Sequence, residues 1–416
     1  MASFTGLNTT STYFKDFNLE GEGSLSRDEV ESYMKQLVNV PDDETQEILD
    51  SGDAEETGEY GMEMYMLCLD EYLSVADPDT FENIHFNFSE VGKLLSDTLS
   101  LVDLSLASPA LQAHQISMFG LLITLLNKLQ RISHSININY DRIMQLTLRV
   151  LASKDSPSRE DAYILAGSIA CGLGQAISPY VPMLAPFMLA DFKIDDDSKL
   201  PITCLGMYGD VCRALANNFI PFLDTFLIPL MQHYVSVLGF TENHFQIKTH
   251  IHFALSDIAL AAEAAIGPYA NGLFEILDKA TTVDLSPFLE DPEDELARDD
   301  VENYYESVLV AYIALVQSLK KGDRSLITTK QIDSVFEFMK TIMKNDCSST
   351  HVIKSAVGLI GDLGDVVKTK YLQTIFLNDP IIEIILEQAN NYPEVENDAQ
   401  WARSVSLFTS HSLFFE

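Results

Sequence analysis

Asn18, Glu20, Glu22, Ser24, Ser26 and Glu29 stand at positions 1, 3, 5, 7, 9 and 12 of a twelve-residue stretch, with Gly23 at position 6 and Leu25 at position 8. A seven-oxygen Ca²⁺ cage needs oxygen-bearing residues at these intervals, a glycine at the sharp turn and a bidentate carboxylate at the end. Phe14 and Phe17 before the stretch, and Val30 and Met34 after it, fit flanking helices. A second stretch begins 53 − 18 = 35 residues later, with Asp53, Glu55 and Thr57 at positions 1, 3 and 5, Gly58 at 6 and Tyr60 at 8. Its position 12 is Met64, which has no carboxylate. At most one Ca²⁺ is therefore expected, with Asn18, Glu20, Glu22, Ser24 and Glu29 as the candidate ligands. No phosphate loop, nucleophile elbow or HExxH is present, so no enzyme is expected.

The elements that would position these oxygens are two helix-loop-helix units, and residues 1–75 resemble a calmodulin-like EF-hand pair. The first loop departs from that pattern, with Asn18 in place of Asp and the longer Glu20 and Glu22 at positions 3 and 5. A pair kept for structure, without Ca²⁺, is the alternative. Residues 76–92 read as a junction, with Pro78 and polar residues ahead of a new helical pattern.

From Lys93 onward the chain repeats. Thr203–Tyr234 reads as two antiparallel helices, with Leu205, Tyr208, Cys212 and Leu215 on one face and Ile220, Leu223, Leu227 and Leu230 on the next. Asn217-Asn218 supplies the turn, and Pro221 sits where a starting helix tolerates a missing N–H. The segments around Asp210, Asp257, Ala314 and Asp362 align, at steps of 257 − 210 = 47, 314 − 257 = 57 and 362 − 314 = 48. Upstream, Pro182 aligns with Pro221 at a step of 221 − 182 = 39. Two-helix periods of this size indicate an all-α solenoid of HEAT or armadillo type, with about seven repeats over 93–416. An acidic insertion accounts for the long step.

Composition bounds the partners. With 47% hydrophobic and 21% charged residues the chain folds, and its formal net charge of −36 argues against nucleic acid, whose phosphates it would repel. A basic protein is the natural complement. The five cysteines form no CxxC pair and read as small core residues of a reducing compartment. The longest uninterrupted apolar run, Leu121–Leu126, is far short of a membrane span, and no signal-peptide pattern opens the chain. A cytosolic or nuclear protein with no membrane association is expected.

LGMYGDVCRALANNFIPFLDTFLIPLMQ, ALSDIALAAEAAIGPYANGLFEILDKA, YIALVQSLKKGD and AVGLIGDLGDVV are similar to the carboxyl-terminal half of the importin β receptors of the karyopherin family. The similarity runs from about Lys93 to Ser406 and includes LSPFLEDPEDELARDD, whereas the final LFTSHSLFFE departs from it. The resemblance implies a nuclear import role in cytoplasm and nucleus, at the nuclear envelope in transit. Its binding partners would be the basic importin-β-binding segment of importin α or basic cargo, together with FG nucleoporins. The family's amino-terminal half has no counterpart here, so Ran-GTP is expected to bind weakly or not at all. Trp401 matches the family's carboxyl-terminal Trp that stacks on Lys and Arg stems, a terminal cap being its other possible role. Asp224, Glu275, Asp278, Glu337, Glu383 and Glu387, on the second helices, are the acids expected beside it on one concave surface. A Ca²⁺-responsive scaffold that carries no cargo is the alternative reading.

Overall fold

The computed structural model describes residues 11–18, 21–52, 57–77, 84–132, 138–193, 199–237, 242–291 and 294–411. The chain divides into two compact units, Met1–Phe187 and Met188–Glu416. In chain order the first holds β1 (Leu25–Ser26), α1 (Arg27–Leu37), α2 (Asp42–Gly52), β2 (Glu59–Tyr60), α3 (Met62–Val75), α4 (Phe88–Ser105), α5 (Pro109–Gln112), α6 (Gln115–Ile132), α7 (Tyr140–Ala152) and α8 (Arg159–Leu173). Helix α9 (Val181–Asp191) runs across the division.

β1 and β2 pair antiparallel with Leu25 opposite Tyr60, so the two residues at position 8 of the two oxygen-rich stretches meet. The helix expected ahead of the first stretch is not formed; residues 11–18 run as bends and a turn. Their N–H groups are satisfied from a distance instead. Asp97 of α4 accepts from Thr12 N (2.8 Å) and Tyr13 N (3.2 Å), while Tyr13, Phe14 and Phe17 are buried and their rings meet Tyr33 and Tyr65. Gly23 is obligatory in the turn that follows, because its φ is 128° and a Cβ there would lie 2.4 Å from the Asp16 carbonyl oxygen. Helix α3 is bound to α6, whose Lys128 Nζ donates to the Ser74 and Ala76 carbonyls at 3.0 Å each, satisfying the end of α3.

The second unit holds α10 (Leu200–Leu215), α11 (Leu223–Ser236), α12 (Glu242–Ala262), α13 (Ala270–Thr281), α14 (Glu295–Lys320), α15 (Thr329–Lys344), α16 (Thr350–Val366), α17 (Lys370–Asn378), α18 (Pro380–Gln388) and α19 (Glu396–His411). Two layers result. Helices α10, α12, α14, α16 and α19 stack closely on one another, whereas α11, α13, α15 and the α17–α18 pair stand further apart. The sequence explains the difference, since the first layer carries Gly209, Gly361 and Gly364 where its helices meet. A Cβ on any of them would lie within 3 Å of Asp257, Trp401 or Val405 respectively. Small residues let helix axes approach, which is how the helices of this layer stack closely.

Buried in the same unit is a polar cluster around His252, which has no exposed surface. Ser307 Oγ spends its hydrogen on the Tyr304 carbonyl (2.7 Å), so it accepts from His252 Nδ1–H (3.0 Å). His252 Nε2 then accepts from Tyr234 O–H (3.1 Å). Both nitrogens are thus satisfied in the neutral ring. Burial first, and the Lys248 ammonium second, push its pKa down to about 3.

Between the helices of successive pairs run 3-10 turns at Gly174–Tyr180, Ala216–Phe222 and Glu263–Tyr269, each burying its apolar fourth residue, Ile177, Phe219 or Ile266. Their prolines align as Pro179, Pro221 and Pro268, at steps of 221 − 179 = 42 and 268 − 221 = 47. Pro179 rather than Pro182 is therefore the counterpart of Pro221. The chain reverses at the first residue of each turn, where φ is positive: 52° at Gly174, 46° at Ala216 and 49° at Glu263. Gly174 and Ala216 also share ψ near −130°, a region open essentially to glycine alone. Ala216→Gly is expected to stabilise the protein by about 1 kcal/mol, and Gly174→Ala to destabilise it by roughly 1–3 kcal/mol, in urea melts of the two variants.

Three helical stretches, Arg159–Asp191, Leu200–Ser236 and Phe245–Thr281, are long and apolar enough by length and composition to cross a membrane. This corrects the reading from uninterrupted runs, because interspersed Gly, Ser and Thr break the runs without lowering the mean hydropathy much. In the second unit, each such stretch is divided by a 3-10 turn into two helices belonging to different layers, where their apolar side chains meet.

Candidate functional site

In the first oxygen-rich stretch the side chains are engaged with one another. Asn18 Oδ1 accepts from Glu22 N (2.9 Å) while its Nδ2 donates to Glu22 Oε2 (3.0 Å), and Ser24 Oγ donates to Glu59. Glu29 Oε2 accepts from Ser26 N (2.9 Å) and Ser26 Oγ (2.7 Å), closing the capping box of α1. Those bonds to Ser26 hold its carboxyl below the ordinary range. Glu20, Asp53 and Glu55 lie outside the described residues. Among the described residues no group of three or more His, Cys, Asp or Glu side chains is placed to hold a metal. What the geometry provides is a capped helix and a two-residue strand pair.

The acids expected to share a surface with Trp401 lie on the more widely spaced layer, whereas Trp401 is on the close one: Asp224 on α11, Glu275 and Asp278 on α13, Glu337 on α15, Glu383 and Glu387 on α18. Most serve local bonds there. Asp224 accepts from Tyr269 O–H, and Asp278 accepts from Tyr312 O–H (3.0 Å) and pairs with Lys330 Nζ (2.7 Å). Glu337 pairs with Lys340 (2.9 Å) and Glu383 with Arg403 (3.5 Å), while Glu275 and Glu387 are exposed. The Tyr269–Asp224 bond is one rung of a ladder, repeated as Tyr180–Asp141 in the first unit and Tyr371–Asp333 in the second. Each tyrosine joins the start of one second-layer helix to the next.

Trp401 is on the close layer, in α19. Its six-membered ring covers Gly361 of α16, where an added Cβ would lie 2.1 Å from Cζ3, and the side chain is still 40% exposed. It therefore closes the stack with one edge and offers the rest to solvent. The acids that share its layer are the ones that defined the repeat. Arg213 of α10 bridges Asp210 (2.8 Å) and Asp257 of α12, Gln317 Nε2 of α14 donates to Asp362 of α16 (2.9 Å), and Lys320 pairs with Asp365. Arg213 and Gln317 each stand three residues after the repeat position, Arg213 after Asp210 and Gln317 after Ala314. Asp210 and Asp257 share one guanidinium, which leaves excess negative charge. Burial raises the carboxyls of Asp257 and Asp362 above the ordinary range, whereas Lys320 lowers Asp365. Leu260, 46% exposed on α12, adds an apolar contact to this face. These residues could have been found by taking the aligned Asp positions themselves as the surface.

This is the arrangement of an all-α helical-repeat solenoid with an acidic, partly aromatic close-packed face. The family described as "Importin subunit beta-1-like, TPR repeats" matches residues 45–389, and the chain belongs to that family. Importin subunit beta-1 of Schizosaccharomyces pombe is 26% identical over 263 residues, covering 62% of this chain and 29% of the relative. That of Saccharomyces cerevisiae is 24% identical over 316 residues, covering 74% and 35%. The chain thus spans about a third of the length of these curated relatives. A crystal structure of importin beta in an ammonium sulfate condition superposes with a TM-score of 0.73 at 20% identity, over 91% of this chain and 42% of that one. The Kap95:Nup1 complex gives 0.69 at 18%, over 92% and 43%. The family's members are non-enzymatic, as the absence of a catalytic constellation led one to expect. Its match begins at residue 45, so it takes in the second oxygen-rich stretch, and no comparison supports an EF-hand pair.

Proposed function

We propose that the chain is a nuclear transport receptor-like adaptor whose close-packed face takes a basic helical segment, such as the importin-β-binding segment of importin α or a basic cargo. The observation that carries this is the half-exposed Trp401 on the same layer as Asp210, Asp257, Asp362 and Asp365. A lysine or arginine arriving beside Asp257 or Asp362 would lower carboxyls that burial now raises, so binding on the acid side of neutrality should release protons. FG nucleoporins are a further proposed partner, in keeping with a structural neighbour solved as the Kap95:Nup1 complex. Ran-GTP is proposed to bind weakly, and the working location is the cytoplasm, the nucleus and the pore between them. Fluorescence anisotropy with a labelled basic peptide tests the central claim. Binding that weakens steeply as salt rises supports it, and no binding at low salt by the folded chain refutes it.

The pairing of Leu25 with Tyr60 favours a second reading, in which residues 1–75 form an EF-hand pair with a junction at 76–92 and the repeats at 93–416. In that case Glu29 would exchange its capping bonds for Ca²⁺. Isothermal titration is expected to give at most one site, abolished by Glu29→Gln; two equal sites would contradict the reading of Met64.

A further inference from the structure

Along the close-packed layer, the residue three positions after the repeat position is Arg213 on α10, Leu260 on α12, Gln317 on α14 and Asp365 on α16. At two of these steps it reaches the acid at the repeat position of the next helix, Arg213 Nη1 on Asp257 and Gln317 Nε2 on Asp362 at 2.9 Å. One geometric slot therefore holds a cation at the first step and a neutral amide at the other. The cation is placed as an arriving one would be. Arg213 also bonds Asp210 (2.8 Å), and a Cβ on Gly209 would collide with both Asp257 and Arg213, so the pair lies on bare α10 backbone. The Arg213 side chain is 57% exposed and that of Asp257 17%, so the acid belongs to the wall of the face and the guanidinium to its open side. Two carboxylates and one guanidinium leave a single negative charge here, against two without Arg213.

We infer that Arg213 is a resident competitor, which occupies the place between Asp210 and Asp257 that a partner's cation would take and thereby lowers the affinity of its own face. The inference rests on the basic-partner reading and concerns how the chain regulates that site. Gln317 shows the same slot without the charge: it satisfies Asp362 with one N–H and leaves the carboxylate's charge to an incoming cation. Asp362 follows Gly361, on which Trp401 rests, so the step without a resident cation in this slot is also the aromatic one. A partner is then anchored at the α14–α16–α19 end and held less tightly at α10–α12. The magnitude is bounded by exposure, because an ion pair whose cation is open to solvent is weak and exchanges readily. Arg213 thus tunes affinity and does not block the face.

The test uses the full chain, a labelled helical peptide of lysines and alanines, and a reciprocal pair of substitutions read by anisotropy at low salt. Arg213→Gln, which gives α10 the residue that α14 already uses, is expected to bind the peptide about fivefold more tightly than wild type. Gln317→Arg, which gives Asp362 a resident cation, is expected to bind about fivefold more weakly, with a melting temperature no lower than that of wild type. A gain of affinity cannot come from misfolding, so the first variant remains informative even if its melting temperature falls. Lys279→Gln removes an equally exposed positive charge from α13, on the other layer, and should change affinity by less than twofold. Wild-type binding that Arg213→Gln leaves unchanged or weakens, or that Lys279→Gln tightens as much, would overturn the competitor and leave the basic-partner reading standing. No binding by wild type or by any variant would remove that reading, and the competitor with it.

Discussion

Trp401→Ala is expected to weaken binding of a basic helical peptide roughly thirtyfold, the equivalent of a desolvated cation–π contact of about 2 kcal/mol. The ring is held for that role. Its edge rests on Gly361, so its orientation is set before any ligand arrives, and 40% of the side chain is still open to solvent. A cation stem laid across the open part would also approach Asp362 and Asp365, which follow Gly361 on the same helix. Gly361→Ala offers a complementary perturbation, because its Cβ would displace the ring without removing it. If Trp401 served only to close the stack, both substitutions would lower the melting temperature and leave the affinity of the folded protein nearly unchanged.

The second large effect concerns acid stability. His252 has a folded pKa of about 3 against an ordinary value of 6.5, so as pH falls the unfolded chain takes up the proton first. Its contribution is fully present above pH 6.5 and is lost at up to about 1.4 kcal/mol per pH unit down to pH 3. Between pH 7 and pH 5 the loss is about 2 kcal/mol, a large share of a typical domain's stability. Carboxylates titrate over part of the same range, so the informative quantity is a difference. Urea melts of wild type and His252→Asn at pH 7 and pH 5 should show the variant less stable at pH 7 but less sensitive to acid. Equal sensitivity in the two proteins would mean that His252 is not held neutral by its burial between Tyr234 and Ser307.

Much of the repeat was legible because it is written in local pattern. The alignment of Asp210, Asp257, Ala314 and Asp362 gave the register in which Arg213 and Gln317 reach the next helix, and the long step fell at the inserted 3-10 segment Ser286–Leu289 and its acidic loop. What escaped was set by tertiary contact. Exposure pattern alone says that Asp224 or Glu337 faces solvent, not which layer carries it. That is decided by Gly209 and Gly361, whose missing side chains let α12 and α19 come close. Residues 11–18 read as helical by their aromatic spacing, yet Asp97, over eighty positions away, takes their N–H groups. The proline alignment slipped from Pro179 to Pro182 because Pro182 lies in helix α9, whereas the feature that repeats is a positive φ, which Ala216 and Glu263 do not advertise.

Trp401 is the single tryptophan of the chain, so its emission reports on the proposed face alone. Titration of the purified protein with a tryptophan-free basic helical peptide at low salt is predicted to give a saturable change in that emission. The change should be reversed by added salt and be absent in Trp401→Ala. Saturable peptide binding by anisotropy with Trp401 emission unaltered throughout would contradict the assignment of the basic partner to the close-packed face.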